Sequence, residues 1–480
     1  MLPRPCLRAP LRAAAASLAR ALSTPSAGAT GATGAAAPRI LEVRERGRGI
    51  PSGALPATGA AGVPHGAGEG PPIDVTAMDV FAAAQRIRQG DGGVKRTSMY
   101  HSKRLSAMLG MEIHLKTEIS LPTGSFKERG ALNALLTLSP EARAGGVIAA
   151  SAGNHALALA YHGQRLGIKV TVVMPTIAPI TKVQNCRDLG AEVVVAGAHI
   201  GEARERAYAM AGDSGASYIN GFDHPAIIAG AGSMGIEIAE QCPDADAVIV
   251  PVGGGGLIAG VGIALQALMP NTLVIGAEPS NCPSLSAALA AGHPVTVPAH
   301  PTLADGLMVP RVGGNAYALA ARTVHSCVLA GEKHIALAML RLLECEKLVV
   351  EGGGATGLAV LLAGALPQLR GKRVVLPLCG GNVDTPVLGR VLERALAADE
   401  RLVRFEALVS DRPGGVAALT RVLAECGVSI KDIFHERAWV SDDAWSVRVK
   451  VVVETADRAA GERMFAALKE HGYDVGGVGK

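Results

Sequence analysis

The sequence predicts an α/β protein followed by a small α+β sandwich, and three observations carry that prediction. Short, continuously apolar, β-branched runs alternate with helix-spaced stretches through most of the chain. Glycine clusters follow directly on two of those runs. From about residue 402 the texture changes to alternating strands interleaved with amphipathic helices. Continuously apolar strands suit a parallel sheet covered on both faces, whereas alternating ones suit a sheet covered on one.

The chain has 480 residues, too many for one ordinary core, so two units with extensions are expected. Residues 1–41 stand apart. They hold Arg4, Arg8, Arg12, Arg20 and Arg39, and the first acid is Glu42. Arg4, Arg8 and Arg12 recur every fourth residue and line one helical face. An acid-free, Arg- and Ser-containing amphipathic start predicts an organellar transit peptide, mitochondrial first and plastid as the alternative. The string Arg20-Ala21-Leu22-Ser23 is similar to a mitochondrial processing site. Without those five arginines the formal net charge of +4 becomes −1. The remaining chain thus gives no electrostatic reason to expect nucleic acid or an anionic membrane as partner. No apolar run reaches the roughly 18 residues that cross a bilayer, and the longest, Ala355 to Leu366, fits a buried helix. Eight scattered cysteines without a C-x-x-C pair signal neither a disulfide framework nor a zinc site.

Residues 42–72, rich in Gly, Pro and Ala, read as a flexible linker. Ile73 to Gln89 then has helical spacing, with Val80, Ala83, Ala84 and Ile87 on one stripe. A core over residues 73–398 follows. Its expected strands are Glu112–Lys116, Gly146–Ala150, Lys169–Met174, Ala191–Ala196, Ala247–Val252, Leu273–Ala277 and Lys372–Leu378. Expected helices include Phe126–Thr137, Ala156–Leu166, Pro225–Gln241 and Leu257–Ala267. Residues 402–480 read in the order β-α-β-β-α-β, a ferredoxin-like sandwich. Leu402–Val409 opens it, the Asp411–Gly415 turn follows, and Val416, Leu419, Leu423 and Cys426 share a helix face. Val428–Phe434 and Ser446–Val453 are strands, and a helix from about Asp457 to Glu470 closes the unit.

Four motifs carry chemistry. In Thr123-Gly124-Ser125-Phe126-Lys127-Glu128-Arg129-Gly130-Ala131, Ser125 and Glu128 have capping-box spacing, which predicts a helix from Phe126. Lys127 would sit in its first turn, where the helix dipole disfavours a cation. Burial there would depress the amine's pKa and free it for Schiff-base chemistry, although an exposed lysine is the plainer alternative. Ser151-Ala152-Gly153-Asn154-His155 joins a strand to a helix, where converging amides suit an anion such as a carboxylate; a simple N-cap is the alternative. Val252-Gly253-Gly254-Gly255-Gly256-Leu257 also joins strand to helix, and four consecutive glycines forfeit backbone entropy that a purely structural loop seldom needs. Their N–H groups suit a phosphate, and the missing G-K-[ST] lysine argues against a nucleoside triphosphate. Leu378-Cys379-Gly380-Gly381-Asn382 ends a strand, the end where open α/β sheets gather ligands.

Together, and in this order, the four motifs resemble those of the fold-type II pyridoxal-phosphate enzymes (tryptophan synthase β-like), specifically the threonine dehydratase / serine racemase family, from about Ile73 to Ala398. Leu402–Val475, with its DRPG turn, resembles the ACT domain fused to many threonine ammonia-lyases. The resemblance implies that Lys127 holds the cofactor and acts as base at Cα. Asn154 would bond the cofactor's ring oxygen, and the amides of Ser151, Ala152, Gly153, Asn154 and His155 would take the substrate carboxylate. Gly253, Gly254, Gly255, Gly256 and Leu257 would hold the phosphate, and Cys379 would face the pyridine nitrogen. A thiol there is a weak, neutral partner, which favours prompt loss of a β-hydroxyl. The implied reaction is β-elimination from L-threonine, with L-serine open as a second substrate. Serine racemase and a non-catalytic amino-acid sensor are the alternatives. Racemases of the family carry a second serine where Ala152 stands, so racemisation is not expected. Glu278-Pro279-Ser280-Asn281 resembles the family's divalent-metal loop, but Ser284 stands where an acid would complete it, so no metal is expected. Expected partners are an amino-acid substrate, an amino-acid effector near Asp411–Gly415, and further copies of the chain in a homo-oligomer.

Overall fold

The computed structural model describes residues 39–41, 73–89, 92–436 and 445–479. Apart from Arg39–Leu41, the expected leader and linker lie outside the described residues. Those three residues, the last of the expected leader, form a parallel edge strand on Ser326–Ala330.

The core is built on two sheets. The larger runs, edge to edge, Arg39–Leu41, Ser326–Ala330, Leu273–Pro279, Ala247–Pro251, Arg373–Leu378, Glu112–Thr117 and Met99–His101. Every pairing is parallel except the last, in which Met99–His101 lies antiparallel to Glu112–Thr117. The smaller, all-parallel sheet runs Glu192–Val195, Val170–Met174, Val147–Ala150 and Ser217–Tyr218. All residues of Val170–Met174 and Ala247–Pro251 are buried, as their unbroken apolar runs require. Four short strands had no counterpart in the sequence reading: Arg39–Leu41, Met99–His101, Ser217–Tyr218 and Ser326–Ala330.

The helix expected over Ile73–Gln89 spans Ala77–Ile87, opened by a capping box between Thr76 and Asp79 and burying Val80, Phe81, Ala83, Ala84 and Ile87. Helix Pro225–Gln241 is buried along most of its length. Its glycines let two neighbours approach closely. A Cβ on Gly230 would lie 2.4 Å from the Arg129 carbonyl, and one on Gly232 2.7 Å from the Gly260 carbonyl. Helices Lys127–Leu136 and Gly256–Leu268 are thereby clamped to the same support, which fixes the Lys127 turn relative to the glycine loop.

The C-terminal unit is an antiparallel sheet in the order Ser429–Glu436, Ser446–Glu454, Leu402–Ser410, Val475–Gly479. Val403, Phe405, Ala407 and Val409 alternate inward with Val447, Val449, Val451 and Val453 against helices Gly415–Glu425 and Arg458–Glu470. This is the expected ferredoxin-like βαββαβ sandwich.

Candidate active site

The four motifs meet at the carboxyl ends of strands from both sheets. The helix carrying Lys127 begins at Lys127 itself, and the capping box expected between Ser125 and Glu128 is not formed. Ser125 is buried, its hydroxyl without a partner among the described residues, and Glu128 accepts instead from the Thr123 N–H. Backbone pairing replaces the cap. Ser125 bridges Gly380, the Phe126 N–H donates to the Cys379 carbonyl at 2.9 Å, and the Gly381 N–H donates to the Gly124 carbonyl at 2.9 Å. The first motif is thus joined to the fourth, far along the chain.

Lys127 turns inward. Its Nζ donates to the Gly221 carbonyl at 2.6 Å and lies 5.2 Å from the centre of the Phe126 ring. Burial lowers the amine's pKa to about 8, against the pull of Glu351 and Cys379. Gly221 must be glycine, because a Cβ there would lie 2.8 Å from the His155 ring. His155 is buried, with Nε2 3.1 Å from the Ile219 carbonyl. Burial, reinforced by Lys127, lowers its pKa to about 3, so the imidazole is neutral.

No side chain caps helix Asn154–Leu166; Ser151 Oγ accepts instead from the Gly153 N–H at 3.3 Å. Among the described residues, the N–H groups of Ala152, Asn154 and His155 donate to no protein acceptor, an arrangement at a helix start that favours an anion. The same holds for the N–H groups from Gly253 to Leu257, at the start of helix Gly256–Leu268. Gly255 adopts φ +90°. A Cβ on Gly254 would lie 2.2 Å from the Phe222 ring, and one on Gly256 2.0 Å from the Phe222 carbonyl. The glycines therefore let the loop fold tightly around Phe222 while its amides stay unpaired, which is an anion cradle.

Cys379 is buried, with Sγ 3.5 Å from the Pro377 carbonyl. Burial pushes the thiol well above its usual pKa, so it is neutral. Asn154 lies in a chain of side chains: its Nδ2 donates to Glu351 Oε1 at 2.8 Å, and its Oδ1 accepts from Asn382 Nδ2 at 2.8 Å. Glu351 was missed from sequence. Burial, then the nearby Asp305, push its carboxyl up to about 7. The available signal was Gly352-Gly353-Gly354, a second glycine run opening a helix, which places Glu351 at a helix start as in the other motifs. Phe222, on which the glycine cradle closes, was also missed.

A family profile described as pyridoxal-phosphate dependent enzyme matches residues 91–380. The chain belongs to this family. Relatives of this chain include an L-threonine ammonia-lyase of Thermotoga maritima, 40% identical over 405 residues, or 84% of this chain and 100% of the relative. A second L-threonine ammonia-lyase, from Geobacter sulfurreducens, is 40% identical over 80% of this chain and 95% of its own. Among solved structures, the processed form of threonine deaminase isoform 2 from Solanum lycopersicum is 35% identical with a TM-score of 0.63, covering 66% of this chain and 92% of that one. Serine racemase from Dictyostelium discoideum is 33% identical with a TM-score of 0.61, covering 65% and 99%.

The site of this pyridoxal-phosphate-dependent enzyme fits its cofactor on its own geometry. It offers an enclosed amine of lowered pKa, an empty-handed amide cradle for a phosphate, an oriented side-chain amide and a neutral thiol. The metal-like loop is differently employed. Glu278 accepts from the Leu285 N–H at 2.7 Å, the Ser286 N–H at 2.9 Å and the Ser286 hydroxyl at 2.5 Å. Among the described residues, no group of three or more His, Cys, Asp or Glu is placed to hold a metal ion.

Proposed function

We propose that the chain is a threonine ammonia-lyase, converting L-threonine to 2-oxobutanoate and ammonia and acting on L-serine by the same route. The observation that carries this is Lys127: its amine is enclosed, in a site where the amides of the Ser151–His155 and Gly253–Leu257 loops include donors without a protein acceptor among the described residues, in a chain 40% identical to L-threonine ammonia-lyases. When bound, pyridoxal phosphate supplies an aldehyde for the amino acid's nitrogen and a sink for the charge left at Cα. The rest falls to this chain's residues. Amides of the Ser151–His155 loop would hold the substrate carboxylate. Gly253–Leu257 would hold the phosphate. Asn154 would donate to the ring oxygen, and Cys379 would serve the ring nitrogen as a neutral partner. Lys127 would take the proton from Cα, and in the net balance that proton leaves with the β-hydroxyl as water. The released enamine tautomerises to an imine, whose hydrolysis returns that water and frees ammonia, so the balance is one threonine to one 2-oxobutanoate and one ammonia. Ala152 carries no acid–base group, which supports elimination over racemisation.

Purified enzyme supplied with pyridoxal phosphate should release ammonia from L-threonine, and borohydride should fix the cofactor on Lys127. Lys127→Ala should lose both. Ammonia release surviving in that variant would refute the assignment, and substantial D-serine formed from L-serine would refute the reading of Ala152.

Residues 402–480 act as an ACT regulatory domain, with an amino acid held near the Asp411–Gly415 turn of a homo-oligomer. The ferredoxin-like order of strands supports this, as does a likeness to the Thermotoga maritima enzyme that extends over more residues than the family profile. Deleting 402–480 should abolish any response to isoleucine or valine; an unchanged response would exclude the role. Residues 1–41 direct import into mitochondria, or plastids in a plastid-bearing host, on the strength of their acid-free arginine pattern. The edge strand Arg39–Leu41 favours cleavage upstream of it, near Ser23. A fluorescent protein fused behind residues 1–41 should enter the organelle, and a cytosolic signal would exclude import.

A further inference from the structure

The relay of amides beneath the site has a direction that its end-points dictate. Asn382 Nδ2 lies 2.7 Å from the Thr123 carbonyl and 2.8 Å from Asn154. A carbonyl only accepts, so the Asn382 atom facing it is the NH2 group, which spends both hydrogens, one on Thr123 and one on Asn154. The Asn154 atom facing that donor must then be its oxygen. Its own NH2 group is thereby turned to the opposite side, where Glu351 Oε1 accepts one hydrogen at 2.8 Å. One hydrogen of Asn154 remains, with no acceptor among the described residues. The backbone holds both ends of the relay: the Glu351 N–H donates to the Gly380 carbonyl at 2.9 Å, and Gly381 pairs with Gly124. Glycines make room for it. A Cβ on Gly380 would lie 2.1 Å from Glu351 Oε1, and one on Gly124 2.6 Å from Asn382 Oδ1.

Building on the pyridoxal-phosphate reading, we propose that Glu351 and Asn382 are positioning residues that lock the Asn154 side-chain amide with its remaining N–H presented to the cofactor's ring oxygen. Without both, the amide is free to turn over and offer its oxygen to an oxygen, exchanging attraction for repulsion. An acceptor is all the relay asks of Glu351. With burial and Asp305 raising its carboxyl to about 7, Glu351 Oε1 accepts from Asn154 whether or not the other oxygen is protonated.

The experiment compares three variants by cofactor affinity of the apoenzyme, measured by equilibrium dialysis against pyridoxal phosphate, and by the absorption maximum of the bound cofactor. Glu351→Ala removes the acceptor. Asn382→Asp, nearly isosteric, removes the donor and should turn the Asn154 amide over. Each should weaken cofactor affinity about tenfold or more and shift the absorption band, the scale of one lost bond to a charged group. Glu351→Gln still offers an amide oxygen and should bind within about twofold of wild type. Wild-type affinity and spectrum in both Glu351→Ala and Asn382→Asp would overturn the proposal. So would Glu351→Gln failing as badly as Glu351→Ala, since Glu351 would then act through its charge. If Glu351→Ala does not fold, Asn382→Asp decides alone. Failure of the wild-type protein to take up pyridoxal phosphate would instead sink the enzyme reading, which separates the two outcomes.

Discussion

On the proposed assignment, Lys127 sets the pH at which the apoenzyme can capture its cofactor. Only the neutral amine attacks an aldehyde, and enclosure has brought its pKa from the ordinary 10.5 to about 8. The rate of cofactor uptake should therefore rise with pH through a midpoint near 8, whereas an exposed lysine would give one near 10.5; stopped-flow absorbance on the apoenzyme reads it. The same shift has a stability sign. Between about 8 and 10.5 the unfolded chain holds the lysine proton and the folded one does not, so stability rises with pH across that window. Lys127, Asn154, the four glycines and Cys379 were visible in the sequence because each lies in a contiguous run whose residue types are costly or odd without a ligand. Glu351 was not. Its meaning depends on Asn154, 197 residues earlier in the chain, and on a glycine run that resembles any buried helix start.

At the scale of elements, the start of helix Gly256–Leu268 shows why glycine is demanded. The obstacle to a side chain at Gly256 is the Phe222 carbonyl, 2.0 Å from where a Cβ would stand, and a carbonyl of the backbone does not rotate aside. Gly256→Ala should push the loop off Phe222 at a cost of about 1–3 kcal/mol, the range for overpacking a close contact. Differential scanning calorimetry of the apoprotein would show the lower Tm, and cofactor affinity should fall with it. An unchanged Tm would mean that the loop yields freely and that its shape is not set by Phe222. Sequence periodicity placed the long elements within a few residues, and Pro225–Gln241 with both ends as expected. It failed on the three-residue strand Met99–His101 and the two-residue strand Ser217–Tyr218, which are too short to show a period. The capping box at Ser125 failed for a different reason: pairing with Gly380, remote in sequence, already fixes the chain entering that helix, so no local cap is required.

At the scale of the whole molecule, one buried charge cluster ties the site to its support. Arg129, two residues after Lys127, is fully buried and grips two carboxylates that are equally so. Its Nε and Nη2 donate to Glu118 at 2.6 and 2.9 Å, and its Nη1 and Nη2 donate to Glu237 at 2.9 and 2.8 Å. Lys116 adds a 2.6 Å bond to Glu237. Strand Glu112–Thr117, helix Lys127–Leu136 and helix Pro225–Gln241 are thereby fixed together under Lys127. The alternation of strands and helices announced the α/β class, but not the division into two sheets nor this cluster, whose members lie up to 121 residues apart. Arg129→Met keeps bulk and removes charge, leaving Glu237 to Lys116 and Arg88 and Glu118 with no ion-pair partner among the described residues; losing one partner of a buried network costs about 3–5 kcal/mol. The sign against pH separates charge from packing. Although burial raises the Glu237 carboxyl, Arg129 and Lys116 hold it at about 2, so its contribution is present above the ordinary 4.5 and is lost only as pH falls through about 2. Without Arg129 the carboxyl's pKa rises, and the variant's deficit shrinks as acid neutralises the stranded carboxylates. Denaturant midpoints should therefore lie far apart near pH 7 and closer near about pH 4.5. A gap of equal size at both would mean that Arg129 serves this fold by its volume and not by its charge.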